Sequence, residues 1–185
     1  ALPISAGTGN LLAGLTNKYH IFASTLDQSD VNAMHERIEN GALLLHDYVF
    51  QFDFLNDEFL PKSKGGKLPD DLYNIITDEE KRKKLVVYIN PPYAESGSTK
   101  KRDAKVGVNE SMIHKRIFSK LSSYSKRDLF AQFLARIYIE ITNCKIANFS
   151  KLKNLQSSNF SDFRTFFRAK LEKIFVRSEE HTSEL

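Results

Sequence analysis

The chain has one cysteine, Cys144, in 185 residues. A lone thiol excludes an intrachain disulfide and every CxxC-type zinc motif, and it suits a reducing, cytoplasmic setting. There is no apolar run near the ~20 residues that a membrane span needs and no signal-peptide pattern, so no membrane partner is expected. Histidines are few and scattered: His20, His35, His46 and His114 precede the last nine residues and form no HxH or HxxxH pair. No metal centre is expected from them. Ala1 stands six residues before a glycine turn with no initiator Met, and residues 177–185 (RSEEHTSEL) are what a common sequencing adapter gives when translated. The sequence therefore reads as cut at both ends: residues 1–176 as part of one domain, with residues 177–185 set aside.

What is present is enough for a core, with 41% hydrophobic residues including 14 Phe and 7 Tyr. That amount suits about one domain. Charge is unevenly placed. Residues 1–93 carry 9 Lys/Arg against 13 Asp/Glu, residues 94–127 carry 9 against 3, and residues 128–176 carry 8 against 4. A basic run is ordinarily a solvated surface; it is also what contact with a phosphate backbone requires.

The basic excess begins just after residues 85–93, LVVYINPPY. Leu85, Val86, Val87, Tyr88 and Ile89 suit a short buried strand. Asn90-Pro91-Pro92-Tyr93 ends it, because proline donates nothing to a sheet ladder and Pro92 biases Pro91 towards an extended conformation. An amide, two carbonyls and an aromatic ring are then presented at the strand's carboxyl end, where open α/β sheets bind ligands. The Asn90 side-chain oxygen and the Pro91 carbonyl are two acceptors for the two N–H groups of an exocyclic amine, and Tyr93 is a ring for a base to stack on. The plainer reading of the same four residues is a surface turn with a Pro-Pro kink.

Taken in order, Ala6-Gly7-Thr8-Gly9-Asn10 is a tight turn in which glycines permit close backbone approach to a ligand. A cofactor-binding turn of this kind usually has an acid four positions before its first glycine, and Pro3 stands there. Residues 20–26 read as a strand ending at Asp27. Asp27 lies 20 residues after Gly7, a spacing that suits a carboxylate on ribose hydroxyls; it or Asp30 equally suits the N-cap of the next helix. That helix carries Val31, Met34 and Ile38 and stops at Gly41. Residues 49–52 form a third strand candidate before Asp53-Phe54. Asp53 is read either as an acceptor for a cofactor adenine amine, with Phe54 against the ring, or as a strand-end turn.

Residues 61–69 (PKSKGGKLP) are expected to be a flexible connector, and Pro69-Asp70-Asp71 to open a helix reaching about Lys84. Residues 94–109 lack a hydrophobic period and hold Lys100, Lys101, Arg102 and Lys105, as a mobile loop would. Two helices are expected next, one marked by Ile113, Ile117, Phe118 and Leu121. The other covers residues 126–142 with Leu129, Phe130, Phe133, Leu134, Ile137 and Ile141 on its apolar side. A strand over residues 145–149, a helix capped by Asn159 or Ser161 with Phe163, Phe166 and Phe167, and a strand beginning at residues 174–176 complete the reading.

The order of glycine turn, Asp27, Asp53 and NPPY resembles the S-adenosylmethionine-dependent amino-group DNA methyltransferases, in particular the adenine-N6 enzymes of restriction–modification systems. The resemblance covers residues 5–176 and extends to RDLFAQFLAR (127–136) and to the Phe-Arg pairs of residues 160–167. It implies a Rossmann-like α/β methyltransferase fold, truncated at both ends. Residues 6–12 would form the methionine-binding turn, with Asp27 on the ribose and Asp53 and Phe54 on the adenine of S-adenosylmethionine. Residues 90–93 would be catalytic, and Lys100, Lys101, Arg102 and Lys105 would clamp the displaced strand of double-stranded DNA. Only 36 positions separate Asp53 from Asn90, so a target-recognition domain or subunit would follow the catalytic motifs, and a nuclease is a possible partner. Methylation of a protein glutamine amide, methylation of RNA, and a non-catalytic DNA-binding subunit remain alternative readings.

Overall fold

A computed structural model describes residues 1–4, 6–12, 14, 16–90, 111–117, 121, 125–150 and 153–175. Its frame is a five-stranded sheet in the order β3-β2-β1-β4-β5, made of β1 (Leu2–Ile4), β2 (Ala23–Thr25), β3 (Val49–Gln51), β4 (Val86–Ile89) and β5 (Lys145–Asn148). Every pairing is parallel. This is an α/β architecture compatible with a Rossmann-like fold.

Parallel strands need covered connections, and helices supply them. The helices are α1 (Gln28–Glu39), α2 (Asp70–Thr77), α3 (Glu79–Arg82), α4 (Met112–Ile117), α5 (Leu129–Glu140), α6 (Lys153–Gln156) and α7 (Ser161–Phe166). Because alternate strand residues point to opposite faces, the sheet divides the core in two. Phe22 and Phe50 enter a large cluster with Leu72, Ile113, Phe133 and Phe163. Their neighbours Ala23 and Val49 enter a smaller one with Val31 and Met34 of α1. In β4, Val87 and Ile89 are fully buried while Val86 and Tyr88 are half-buried, and burial pushes the Tyr88 phenol up.

Several sequence expectations need correction. Residues 61–69 are an ordered loop: Pro61 bridges Leu68, and Leu68 donates its N–H to the Leu60 carbonyl at 3.0 Å. Gly66 sits so close that a Cβ there would stand 2.1 Å from that same carbonyl oxygen. The single helix expected from residue 70 to 84 is two, α2 and α3. Asp78 interrupts it in an extended conformation and caps α3 by accepting the Lys81 N–H, a local bond that competes with helix continuation. Burial lowers the Cys144 thiol's tendency to ionise, pushing its pKa up to about 11.

The helix placed at residues 126–142 is α5, capped by the Asp128 carboxylate on the Ala131 N–H. It was expected to have one apolar side, yet Leu129 to Ile137 are all buried, Gln132 and Arg136 included. In the segment near residue 160, Ser157 caps the turn before α7, and α7 itself has no side-chain cap bond. Residues 174 and 175 are no strand: Ile174 and Phe175 are exposed, and Val176 lies outside the described residues.

Candidate functional site

Register places the strand ends level. Ile4 pairs with Ser24 on one side and with Ile89 on the other; Ser24 pairs with Phe50, and Ile89 with Asn148. The residues that follow each strand therefore leave the sheet at one carboxyl edge. Those residues are the glycine turn after β1, Asp27 after β2, Asp53 after β3 and Asn90 after β4. The order reverses between β1 and β4, and in open α/β sheets the crevice outside such a reversal is where ligands bind. The glycine turn and Asn90 flank it, following adjacent strands, and Asp53 follows the strand three places from that of Asn90.

The glycine turn is tied on both sides. Ala6 donates its N–H to the Ser24 carbonyl at 3.0 Å, and Gly9 donates to the Ala6 carbonyl at 3.0 Å. Gly7 has φ +53° with nothing within 4 Å of where a Cβ would stand, so the chain is open there. Gly9, at φ +82°, has its back to Met34, whose Cγ would lie 3.1 Å from a Cβ. Both conformations favour glycine, and the second also lets α1 approach. Thr8 is half-buried between them. Asn10 accepts a hydrogen bond from Arg37 of α1 at 2.6 Å, so its side chain holds the turn against that helix. Pro3, in the position that a cofactor-binding turn usually gives to an acid, is buried in the central strand opposite Tyr88.

Asp27 is exposed and occupies the N-cap of α1. Its main-chain carbonyl accepts from Asp30 and Val31, while its side chain makes no capping bond. Thr25 instead donates to the Asp30 carboxylate at 3.1 Å. The structure thus separates two roles that the sequence left joined: Asp30 braces the helix start, and the Asp27 carboxylate stands exposed at the edge.

Asp53 builds a tight turn. Its Oδ1 accepts from the N–H groups of Leu55 at 2.9 Å and Asn56 at 3.2 Å, and its Oδ2 accepts from the Asn56 amide at 2.8 Å. Its own N–H donates to Asp57 at 2.7 Å, and Asp57 pairs with Lys67 at 2.7 Å. Phe54, read from the sequence as lying against the adenine, is packed into the core. The ring is 4% exposed and stacks on Phe133 of α5 with centroids 5.3 Å apart, because the turn directs it inwards between the sheet and α5.

What the sequence reading missed is Arg136. Its side chain is fully buried and donates to the carbonyls of Phe54 and Asp57, the latter at 2.5 Å. It pairs with Glu140 at 3.1 Å, and its guanidinium stands 4.3 Å from the centroid of the Phe59 ring. Burial lowers its pKa from the ordinary value while Glu140 opposes that shift. Planar, forked and always charged, an arginine suits this double carbonyl grip. The available signal was the Arg136–Glu140 spacing of one helical turn, which also describes any exposed pair.

Asn90 is exposed at the end of β4. Pro91, Pro92 and Tyr93 lie outside the described residues, as do Lys100, Lys101, Arg102 and Lys105. The described residues contain no group of three or more potential metal ligands and no helix long and apolar enough to cross a membrane. No protein-family profile, curated protein or solved structure matches this chain.

Proposed function

We propose that this chain is the catalytic part of a DNA methyltransferase that modifies the N6 amine of adenine with S-adenosylmethionine, in the cytoplasm, as in a restriction–modification system. The observation that carries the reading is the convergence at one sheet edge. Glycine turn, Asp27, Asp53 and Asn90 follow four parallel strands whose ends are level, with the turn and Asn90 flanking the reversal of strand order.

The residues present fit the cofactor. Gly7 leaves the turn open where a ligand would approach, Asp27 offers an exposed carboxylate with no capping duty, and Asp53 keeps acceptor capacity, since the three donors of its own turn occupy three of about four lone-pair positions. Bound there, S-adenosylmethionine supplies an electrophilic methyl group. The protein's task is then to make a poor nucleophile reactive. Adenine's amine lone pair is delocalised into the ring; the Asn90 side-chain oxygen and the Pro91 carbonyl accept its two N–H groups and favour the tetrahedral nitrogen. Tyr93 stacks on the flipped base. No titrating base is needed, and the proton lost from nitrogen passes to solvent.

The experiment is methyl transfer to DNA, read as N6-methyladenine by mass spectrometry of nucleosides from a methylation-deficient host. Asn90→Ala is expected to lower the rate by about 100-fold or more, the scale on which loss of one stabilising group acts. Wild-type activity in that variant refutes the assignment.

A further inference from the structure

We infer that Asn56 is a positioning residue for Asp53, and that through Asp53 it sets the preference for an adenine amine over its oxo counterpart; this rests on the cofactor reading above. The turn fills both lone pairs of Asp53 Oδ1 with the Leu55 and Asn56 N–H groups and one of Oδ2 with the Asn56 amide. An ionised carboxylate accepts at about four positions and donates at none. The capacity left on Oδ2 suits one further N–H donor, and an oxo group in that place would set oxygen against oxygen.

Asn56 is itself held in a single orientation. Its Oδ1 accepts the N–H of Met112, at the first residue of α4, at 3.1 Å, while its Nδ2 donates to Asp53 at 2.8 Å. Reversing the amide would put its NH2 against an N–H and its oxygen against a carboxylate, so the network fixes the assignment. The two bonds join segments 56 residues apart in the chain. Removing the Asn56 amide leaves Oδ2 with no bond from the turn, and the carboxylate is then held through Oδ1 alone. The remaining acceptor loses its fixed direction, and with it the penalty against an oxo group.

The test is calorimetric titration of the full chain with S-adenosylhomocysteine and S-inosylhomocysteine, which differ at the amine. Wild type is expected to prefer the adenosyl compound by about tenfold or more, since a site built to accept an N–H rejects the analogue lacking it. In Asn56→Ala the adenosyl affinity falls and the inosyl affinity stays within about twofold, so the preference collapses. Asn56→Asp keeps an acceptor for Met112 but sets a second carboxylate against Asp53, and its preference collapses as well. A merely structural role would weaken both ligands equally. Equal weakening in Asn56→Ala, or an unchanged preference in Asn56→Asp, overturns the role of Asn56 and leaves the cofactor reading standing. A wild-type chain that binds neither compound overturns both.

Discussion

Replacing Arg136 with methionine keeps an unbranched apolar stem and removes the charge and the donors. The carbonyls of Phe54 and Asp57 then lose the guanidinium, and Glu140 loses one of its two arginine partners, keeping Arg116. A buried acceptor left without a donor costs about 1–3 kcal/mol, and breaking a buried pair from one side costs about 3–5 kcal/mol. Glu140 is 16% exposed and retains Arg116, which favours the lower end. We expect a loss of about 3 kcal/mol. Followed by circular dichroism in urea at pH 7, with a slope of about 2 kcal/mol/M, the midpoint should fall by about 1.5 M. The double variant Arg136→Met, Glu140→Met should lose less than the single one, because no charge of that pair is then stranded. A single-variant loss below about 1 kcal/mol, or a double variant less stable than the single one, refutes the view that Arg136 pins the turn after β3.

Three further outcomes follow from local structure. Burial raises the Cys144 thiol from 9.0 to about 11, so iodoacetamide at pH 8 should react far more slowly with the native protein than with the unfolded one; equal rates would contradict its burial. Since folding favours the neutral thiol, that contribution is present below pH 9 and lost as pH rises through about 11. Tyr48 donates to Asp71 at 2.5 Å, and that bond, with burial and the neighbouring carboxylates, raises its phenol from 10.0 to about 12. Folding favours the neutral phenol too, so stability from this bond is present below pH 10 and lost towards pH 12; in ultraviolet titration, Tyr48→Phe should remove a late-ionising tyrosine. Gly66→Ala pushes a methyl against the Leu60 backbone and should cost about 1–3 kcal/mol, read as a lower unfolding temperature; an unchanged one would show that the loop adjusts freely.

Much of the frame was legible because its signals are short-ranged. Leu85 to Ile89 read as a buried strand, Val31 and Met34 as the inner face of a helix stopped at Gly41, and the glycine turn, Asp27, Asp53 and Asn90 as strand-end positions. Each depends on neighbours within a turn or a strand length. The sequence could not give the break at Asp78, since a carboxylate that caps one helix and an acid inside a longer one look alike until the backbone turns. Nor could it give the ordered loop at residues 61–69, whose glycines suit flexibility and close packing equally; Gly66 needs the Leu60 carbonyl beside it before its role is visible.

The sequence by itself determined which residues stand at strand ends, because alternation, glycine and proline act locally. The tertiary structure decided that those ends are level along one edge, since parallel register is set by strands far apart in the chain. It also decided which polar groups belong to the interior. Arg136 is fully buried and grips a carbonyl 82 residues away, whereas Asn56, which meets α4 across 56 residues, does so at the surface. A buried charge is tolerable only with its partners in place, and those partners are brought together by folding.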